Sequence, residues 1–195
     1  MAKTDILIAG VGGQGTILAG RIIAAVAMAE GLDVKMAETH GMAQRGGSVV
    51  THARLAEKVY APLIPYGDAD LILAFERLEA LRWLPFLSPT GTVIVNTQIL
   101  EPLPVLTGQY VYPPDILDEL AVKANRVIAV DALNLEPVRT NPRALNTLLL
   151  GIAARLLPFE QTRWEQTLTE LLPPKLLEIN RRAFTAGWSY QPVDK

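Results

Sequence analysis

Short apolar runs alternate with longer helical stretches along the chain. The predicted strands are 5–9, 34–37, 48–55, 71–75, 92–95 and 127–130. The predicted helices are 15–30, 76–84, 115–123, 143–157, 162–172 and 175–184. Strands that alternate with helices favour an α/β fold, in which a mostly parallel sheet is flanked by helices. The last three helices follow the last strand, so we expect a helical C-terminal part that packs on the sheet.

Two connecting segments stand out from this alternation. The segment 38–47 is predicted to be a long polar loop, and it precedes a strand, 48–55, with one polar face. The segment 101–114 is interrupted by prolines and is predicted to be an extended excursion. Neither segment has the composition of a flexible linker, so we expect one domain over residues 1–195, a usual length for a single domain.

A glycine-rich turn follows the first strand and opens the first helix. Its sequence is Gly10-Val11-Gly12-Gly13-Gln14-Gly15, which fits the spacing G-x-G-x-x-G. Glycines allow a tight turn and close approach of a ligand, while the helix N-terminus offers free N–H groups to an anion. Glu38 lies about 20 residues farther on, where dinucleotide-binding folds place a ribose-binding acid. The alternative is a purely structural turn between a strand and a closely packed helix.

The loop after the second strand is rich in groups that bind ligands. It contains Glu38, His40, Gln44 and Arg45, followed by Gly46-Gly47. An arginine can grip a phosphate or a carboxylate through two parallel hydrogen bonds. Arg45 could instead pair with Glu38 or contact another subunit. We predict that this loop and the glycine turn together face a ligand or a partner.

Composition excludes several classes of function. The chain has no cysteine, which excludes disulfides, thiol catalysis and cysteine-held zinc or iron–sulfur centres. The absence of cysteine also suits a reduced, cytoplasmic location, which we expect. The net charge is −2, so we expect neither nucleic acid nor a membrane as a partner. The N-terminus lacks the layout of a signal peptide. Charged residues make up only 19% of the chain, against about 25% in typical domains. We therefore expect another chain to cover part of the surface.

Two further kinds of site are not expected. His40 and His52 lack a third strong ligand, so we predict no metal site. Ser48 and His52 lie four residues apart on one strand, too far for a nucleophile and its base, and Gly46-Gly47-Ser48 does not fit the G-x-S-x-G motif of hydrolases.

The two glycine-rich motifs together resemble a known family. Gly-Val-Gly-Gly-Gln-Gly at 10–15 and Glu-Thr-His-Gly-Met-Ala-Gln-Arg-Gly-Gly-Ser-Val at 38–49 are similar to the gamma-type subunit of 2-oxoacid:ferredoxin oxidoreductases. Within that family the sequence is most similar to the small (beta) subunit of indolepyruvate ferredoxin oxidoreductase. The stretches 68–76, 79–82, 141–146, 150–151 and 180–187 also match, so the resemblance spans nearly the whole chain.

The resemblance implies a Rossmann-like subunit of an enzyme that decarboxylates a 2-oxoacid, such as an aryl one, to an acyl-CoA and reduces ferredoxin. It implies that thiamine diphosphate and the iron–sulfur clusters belong to a larger partner subunit, and that this chain has no catalytic residue of its own. It is also compatible with a contribution to the coenzyme A site, and we expect the residues of the two motifs to bind a ligand or to face the partner. These are Gly10, Gly12, Gly13, Gln14, Gly15, Glu38, His40, Gln44, Arg45, Gly46 and Gly47. We expect the isolated chain to form a homodimer.

Two other hypotheses remain open at this point. The chain could be a free-standing NAD-type oxidoreductase or sensor that uses Gly10–Gly15 for the pyrophosphate and Glu38 for the ribose. It could also be a scaffold without a ligand. A free dehydrogenase needs its own acid–base residue and a substrate site, and the helices after Val130 offer no evident second site.

Overall fold

The computed structural model describes residues 3–41 and 46–192, and within these ranges six strands form one sheet. The strands are β1 (Thr4–Val11), β2 (Asp33–His40), β3 (Ser48–Ala56), β4 (Ala69–Ala74), β5 (Leu87–Asn96) and β6 (Arg126–Val130). Their order across the sheet is β2-β3-β1-β4-β5-β6. The neighbours β1–β4, β4–β5 and β5–β6 are parallel, whereas β3 runs antiparallel to both β1 and β2. The predicted mostly parallel α/β fold is confirmed.

Helices cover both faces of the sheet. They are α1 (Thr16–Ala29), α2 (Arg77–Trp83), α3 (Leu103–Leu106), α4 (Ile116–Lys123), α5 (Leu145–Ala154), α6 (Gln161–Leu171) and α7 (Pro174–Trp188). Side chains alternate between the faces along β1, so Ile6 and Ile8 join the core under α1, α5, α6 and α7. Leu7 and Ala9 join the second core, under α2 and α4. Burial on both faces explains why residues 6–9 of β1 are a continuous apolar run.

The C-terminal part is helical, as predicted, and its first helix is enclosed. All ten residues of α5 are buried, because α5 lies between the sheet and α7. The hydroxyl of Thr147 on α5 donates to the amide oxygen of Asn180 on α7 at 2.6 Å. Among the described residues, no helix is both long enough and apolar enough to cross a membrane.

Two predicted connecting segments differ from the structure, and β5 begins at Leu87, five residues before the predicted strand 92–95. The polar loop was predicted to begin at Glu38, but β2 continues to His40 because its backbone pairs with β3. Glu38 lies opposite Thr51, and His40 lies opposite Val49. The excursion 101–114 contains the short helix α3, because its backbone hydrogen bonds are local despite the prolines.

The polar face of β3 is covered rather than solvated. Arg54 forms two hydrogen bonds to the fully buried Asp5, with Nε–Oδ1 at 2.9 Å and Nη2–Oδ2 at 3.1 Å. His52 is buried against Trp83 and Phe86 in edge-to-face contacts. A central strand has both faces packed, so its polar side chains need partners within the protein.

Candidate functional site

The candidate site lies at the carboxyl ends of β1, β4 and β5. After β1 the chain continues to β2 and β3, which lie to one side of β1 in the strand order. After β4 it continues to β5 and β6, which lie on the opposite side. Open α/β sheets bind ligands in the crevice at such a reversal of strand order. The glycine turn follows β1 at this crevice.

Backbone hydrogen bonds join the two glycine-rich motifs. The N–H of Gly12 donates to the carbonyl oxygen of Gly47 at 2.8 Å. The N–H of Gly46 donates to the carbonyl oxygen of Gly12 at 3.5 Å. These bonds extend the β1–β3 pairing past its last pair, Val11 with Ser48. Two motifs that are far apart in sequence therefore form one structural unit. Gln44 and Arg45 lie outside the described residues.

The side chain of Gln14 fixes the shape of the turn. Its Oε1 accepts from the N–H of Val11 at 2.8 Å, and its Nε2 donates to the carbonyl oxygen of Phe75 at 3.1 Å. Nε2 also lies 3.5 Å from Oε1 of Gln98. The amide thus ties the turn after β1 to the ends of β4 and β5. Gln14 positions the turn, and its hydrogen bonds are made within the chain.

The turn leaves the N-terminus of α1 open. Gly15, the residue before α1, has φ of +87° and provides no side chain to cap the helix, and the first turn of α1 carries no acidic residue. The first N–H groups of a helix have no partner within the helix and carry a partial positive charge. A Cβ atom at Gly15 would lie 2.6 Å from Nδ2 of Asn146 on α5. A Cβ atom at Gly13, with φ of +105°, would meet nothing within 4 Å.

One cavity lies between the glycine turn and the start of α5. This cavity, here called the helix cavity, has a volume of about 330 Å³. Its polar lining comes from Gly13, Gln14, Gly15, Gln98, Arg143 and Asn146. None of its described lining residues carries a carboxylate, and Arg143 is exposed. A positive side chain, a helix N-terminus and amide groups are suited to binding an anion.

A second cavity lies on the other side of the turn, beside the end of β2. This cavity, here called the strand cavity, has a volume of about 450 Å³ and is lined by Gly12, Gly13, Gly15, Thr16, Ile17, Glu38, His40 and Val49. The structure therefore brings Glu38 and His40 to the glycine turn. Both side chains are exposed, and Nδ1 of His40 lies 3.1 Å from the carbonyl oxygen of Gly41. A carboxylate favours hydroxyl and amino groups over phosphates.

Two buried glutamates border the crevice after β4. Glu76 caps the N-terminus of α2, where its Oε2 accepts from the N–H of Glu79 at 3.0 Å. Its Oε1 accepts from the hydroxyl of Tyr112 at 2.5 Å. Burial and the neighbouring Glu76 carboxylate raise the pKa of Tyr112 above its usual range. Glu79 accepts hydrogen bonds from the hydroxyl of Ser48 and from Nε of Arg82.

His52 and Ser48 are positioned by different partners. Nδ1 of His52 accepts from the N–H of Ile64 at 3.2 Å, whereas Ser48 bonds to Glu79. Burial, and to a lesser extent the charge of Arg54, lower the pKa of His52. Among residues 3–41 and 46–192, no cluster of His, Asp and Glu side chains could hold a metal ion.

Four polar residues at the crevice were not predicted as site residues. These are Asn96, Gln98, Arg143 and Asn146. Nδ2 of Asn96 donates to the carbonyl oxygen of Phe75 at 3.1 Å, and its Oδ1 accepts from the N–H of Ala132 at 3.3 Å. The stretch 141–146 contributed to the family resemblance, which was the signal that could have drawn attention to Arg143 and Asn146.

Comparisons with known proteins agree with the fold and the motifs. The family model for pyruvate ferredoxin/flavodoxin oxidoreductase matches residues 5–190. The chain is 40% identical over 188 residues to the indolepyruvate oxidoreductase subunit IorB of Methanothermobacter thermautotrophicus, covering 94% of this chain and 95% of the relative. It is 39% identical over 191 residues to IorB of Archaeoglobus fulgidus, covering 96% of this chain and 94% of the relative.

Solved structures share the fold at lower identity. The pyruvate oxidoreductase subunit PORC of Thermotoga maritima matches with a TM-score of 0.71 and 19% identity, over 96% of both chains. A 2-oxoglutarate:ferredoxin oxidoreductase from Magnetococcus marinus matches with a TM-score of 0.73 and 20% identity, over all of this chain and 32% of the longer one. That structure was solved with 2-oxoglutarate, coenzyme A and succinyl-CoA bound.

The chain therefore belongs to the pyruvate ferredoxin/flavodoxin oxidoreductase family. Within that family it is a gamma-type chain that matches the IorB subunits over nearly their whole length. It is a subunit of a 2-oxoacid:ferredoxin oxidoreductase.

Proposed function

We propose that this chain is the small subunit of a complex that converts an aryl 2-oxoacid, such as indolepyruvate, to its acyl-CoA and passes the electrons to ferredoxin. The names of the relatives at 40% and 39% identity support the substrate class. We further propose that this chain holds part of coenzyme A at the glycine turn. The open N-terminus of α1 beside Arg143 is the observation that carries this second proposal.

The phosphates of coenzyme A fit the helix cavity. Its described lining residues combine Arg143, the amide of Asn146 and the backbone of Gly13 and Gly15, with no carboxylate to repel an anion. The open space beside Gly13 allows a phosphate to approach the backbone closely. Arg45, which lies outside the described residues, remains a sequence-based prediction for a second phosphate contact.

The sugar or the base of the same coenzyme fits the strand cavity. The two cavities lie on either side of the turn and share Gly13 and Gly15 in their linings, so in this proposal one extended ligand crosses the turn and enters both. Glu38 can accept a hydrogen bond from a hydroxyl or an amino group, and His40 can donate or accept one. We assign the phosphates to the helix cavity because the Glu38 carboxylate would repel them in the strand cavity.

The proposed reaction needs iron–sulfur clusters and thiamine diphosphate, which we do not assign to this chain. Protein-bound iron–sulfur clusters are held by cysteine thiolates, and this sequence has no cysteine. Thiamine diphosphate, when bound, supplies the electron sink for decarboxylation, and protein side chains do not provide such a sink. Both groups belong, in this proposal, to a larger partner subunit. This chain binds and orients the coenzyme that receives the acyl group.

Hydrogen–deuterium exchange of the reconstituted complex tests the coenzyme A proposal. We expect saturating coenzyme A to slow exchange in peptides that cover residues 11–17 and 141–146. NAD and NADP serve as controls. We expect them to leave hydrogen–deuterium exchange unchanged and to give no heat of binding in calorimetry. Protection confined to the larger subunit would contradict the coenzyme A role. Binding of NAD at micromolar concentration would favour a free-standing dinucleotide-binding enzyme instead.

A further inference from the structure

Residues 99–111 form an exposed apolar segment beside the candidate site, here called the apolar arm. Five of its side chains are between 48% and 87% exposed, namely Ile99, Leu103, Leu106, Tyr110 and Val111. Glu101 is the only charged residue in the arm. Monomeric proteins rarely expose contiguous apolar patches larger than a few hundred Å², and such patches often mark interaction sites.

Local backbone bonds give the arm a defined shape. The N–H of Thr107 donates to the carbonyl oxygen of Leu103 at 2.9 Å, which closes the turn of α3. The N–H groups of Gln109 and Tyr110 both donate to the carbonyl oxygen of Pro104, at 2.9 and 3.0 Å. The apolar side chains are therefore presented by an ordered turn. A preformed surface loses less conformational entropy when a partner binds.

A single buried carboxylate anchors the arm near both ends. Oε1 of Glu76 accepts from the N–H of Leu100 at 3.2 Å and from the hydroxyl of Tyr112 at 2.5 Å. Glu76 is 1% exposed and also caps α2, so its position is fixed from three sides. The exposed part of the arm projects between these two anchor points.

The arm adjoins the candidate coenzyme site. Leu100 lines the helix cavity together with Gly13 and Arg143. Leu100 and Leu103 also line a smaller cavity of about 190 Å³, whose other wall includes Gly46 and Gly47. A partner that covers the arm would therefore lie against the mouth of the helix cavity.

We infer that the apolar arm is the docking surface for the larger, decarboxylating subunit of the complex. This inference rests on the proposed function, because the thiol of coenzyme A must reach an acyl group formed on that subunit. The surface next to the coenzyme site must then face the larger subunit. A second copy of this chain on the arm would cover the mouth of the helix cavity. Coenzyme A would then face a chain that cannot form the acyl group. The matching face of the larger subunit is apolar and uncharged, since the arm offers almost no charge to pair.

Paired variants test this docking surface. Leu106→Asp/Tyr110→Asp places two charges on the arm. The matched control, Leu63→Asp/Tyr60→Asp, changes the same residue types at positions 56% and 88% exposed, in the connection between β3 and β4. The dissociation constant for the larger subunit, reconstituted with its cofactors, is measured for each variant by analytical size exclusion and calorimetry. We expect the arm variant to bind roughly 100-fold more weakly or worse, and the control variant to bind within about 3-fold of the unmodified chain.

Each outcome bears on a different claim. Equal binding by the arm variant and the unmodified chain would overturn the docking surface and leave the proposed function intact. Failure of the unmodified chain to bind the larger subunit would overturn both. If the arm variant loses self-association but still joins the larger subunit, the arm is a contact between copies of this chain, and the inference is wrong. Urea unfolding of both variants, with midpoints like that of the unmodified chain, shows that each variant folds.

Discussion

The backbone N–H of Gly12 lies 2.8 Å from the carbonyl oxygen of Gly47 and donates to it. This bond joins the turn after β1 to the loop that precedes β3. The two segments are therefore held next to each other at the end of the sheet. The candidate phosphate site depends on both motifs, although only the first lines the helix cavity.

A comparison of Gly13→Ala with Gly67→Ala separates the effect of backbone strain on stability from an effect on coenzyme A binding. Gly13 has φ of +105° and Gly67 has φ of +76°, and a Cβ atom at either position meets nothing within 4 Å. We expect Gly13→Ala and Gly67→Ala each to lower the free energy of unfolding by about 1–3 kcal/mol, because both residues would be held at positive φ. Only Gly13→Ala should also raise the KM for coenzyme A, measured by steady-state kinetics of the complex. An unchanged KM would mean that the turn is purely structural.

Arg143 is expected to act on coenzyme A rather than on the 2-oxoacid. A hydrogen bond to a charged group contributes about 1.5–3 kcal/mol, so Arg143→Gln should raise the KM for coenzyme A about 10- to 100-fold. We predict a similar change for Arg45→Ala from the sequence alone. Arg126→Gln is the control, since Arg126 is exposed at the start of β6 and therefore lies at the amino ends of the parallel strands, away from the site at their carboxyl ends. A rise in the KM for the 2-oxoacid alone would contradict the phosphate assignment.

Tyr112→Phe tests the anchor of the apolar arm. The variant removes the hydroxyl that donates to Glu76 but leaves the bond from the N–H of Leu100. We expect the free energy of unfolding to fall by about 1–2 kcal/mol and proteolysis to become faster in the arm. Tyr66→Phe is the control, because Tyr66 is exposed and stacks on Phe86 through its ring, which the variant keeps. If the arm of Tyr112→Phe resists protease as well as that of the unmodified chain, Glu76 does not hold the arm in place.

His52 is expected to make stability depend on pH. Burial lowers its pKa below the ordinary 6.5, so the unfolded chain binds a proton more readily than the folded chain. The stability due to neutral His52 is complete above pH 6.5 and declines as the pH falls below that value. In His52→Asn the amide oxygen can still accept from Ile64. The difference in free energy of unfolding between the unmodified chain and His52→Asn should therefore fall between pH 7 and pH 5. A constant difference over that range would show that His52 does not titrate on unfolding.

The sequence predicted the elements that carry a local signal. The buried run of β1 and the glycine turn were both recognised, because burial on two faces and the need for positive φ restrict residue type. The end of β2 was missed, since an edge strand is held by backbone pairing and tolerates exposed polar side chains such as those of Glu38 and His40.

The parts that were not predicted depend on distant segments. Asn146 lies beside Gly15 only because the chain, after β6, returns to place the start of α5 next to the glycine turn. The insertion of β3 between β1 and β2 is likewise set by packing, and the pattern within any one strand does not encode it. Glu76 begins the predicted helix 76–84, and it does cap α2. Its bonds to Leu100 and Tyr112 give it a second role that spacing could not indicate.

The central claim is that this chain completes an oxidoreductase and has no activity alone. Reduction of ferredoxin or of a dye, with an aryl 2-oxoacid and coenzyme A as substrates, is measured for this chain, for the larger subunit and for the co-expressed pair. We expect no turnover from this chain, little from the larger subunit, and full coenzyme A-dependent turnover from the pair, which elutes as one hetero-oligomer. Full activity from the larger subunit alone, with no gain when this chain is added, would contradict the account.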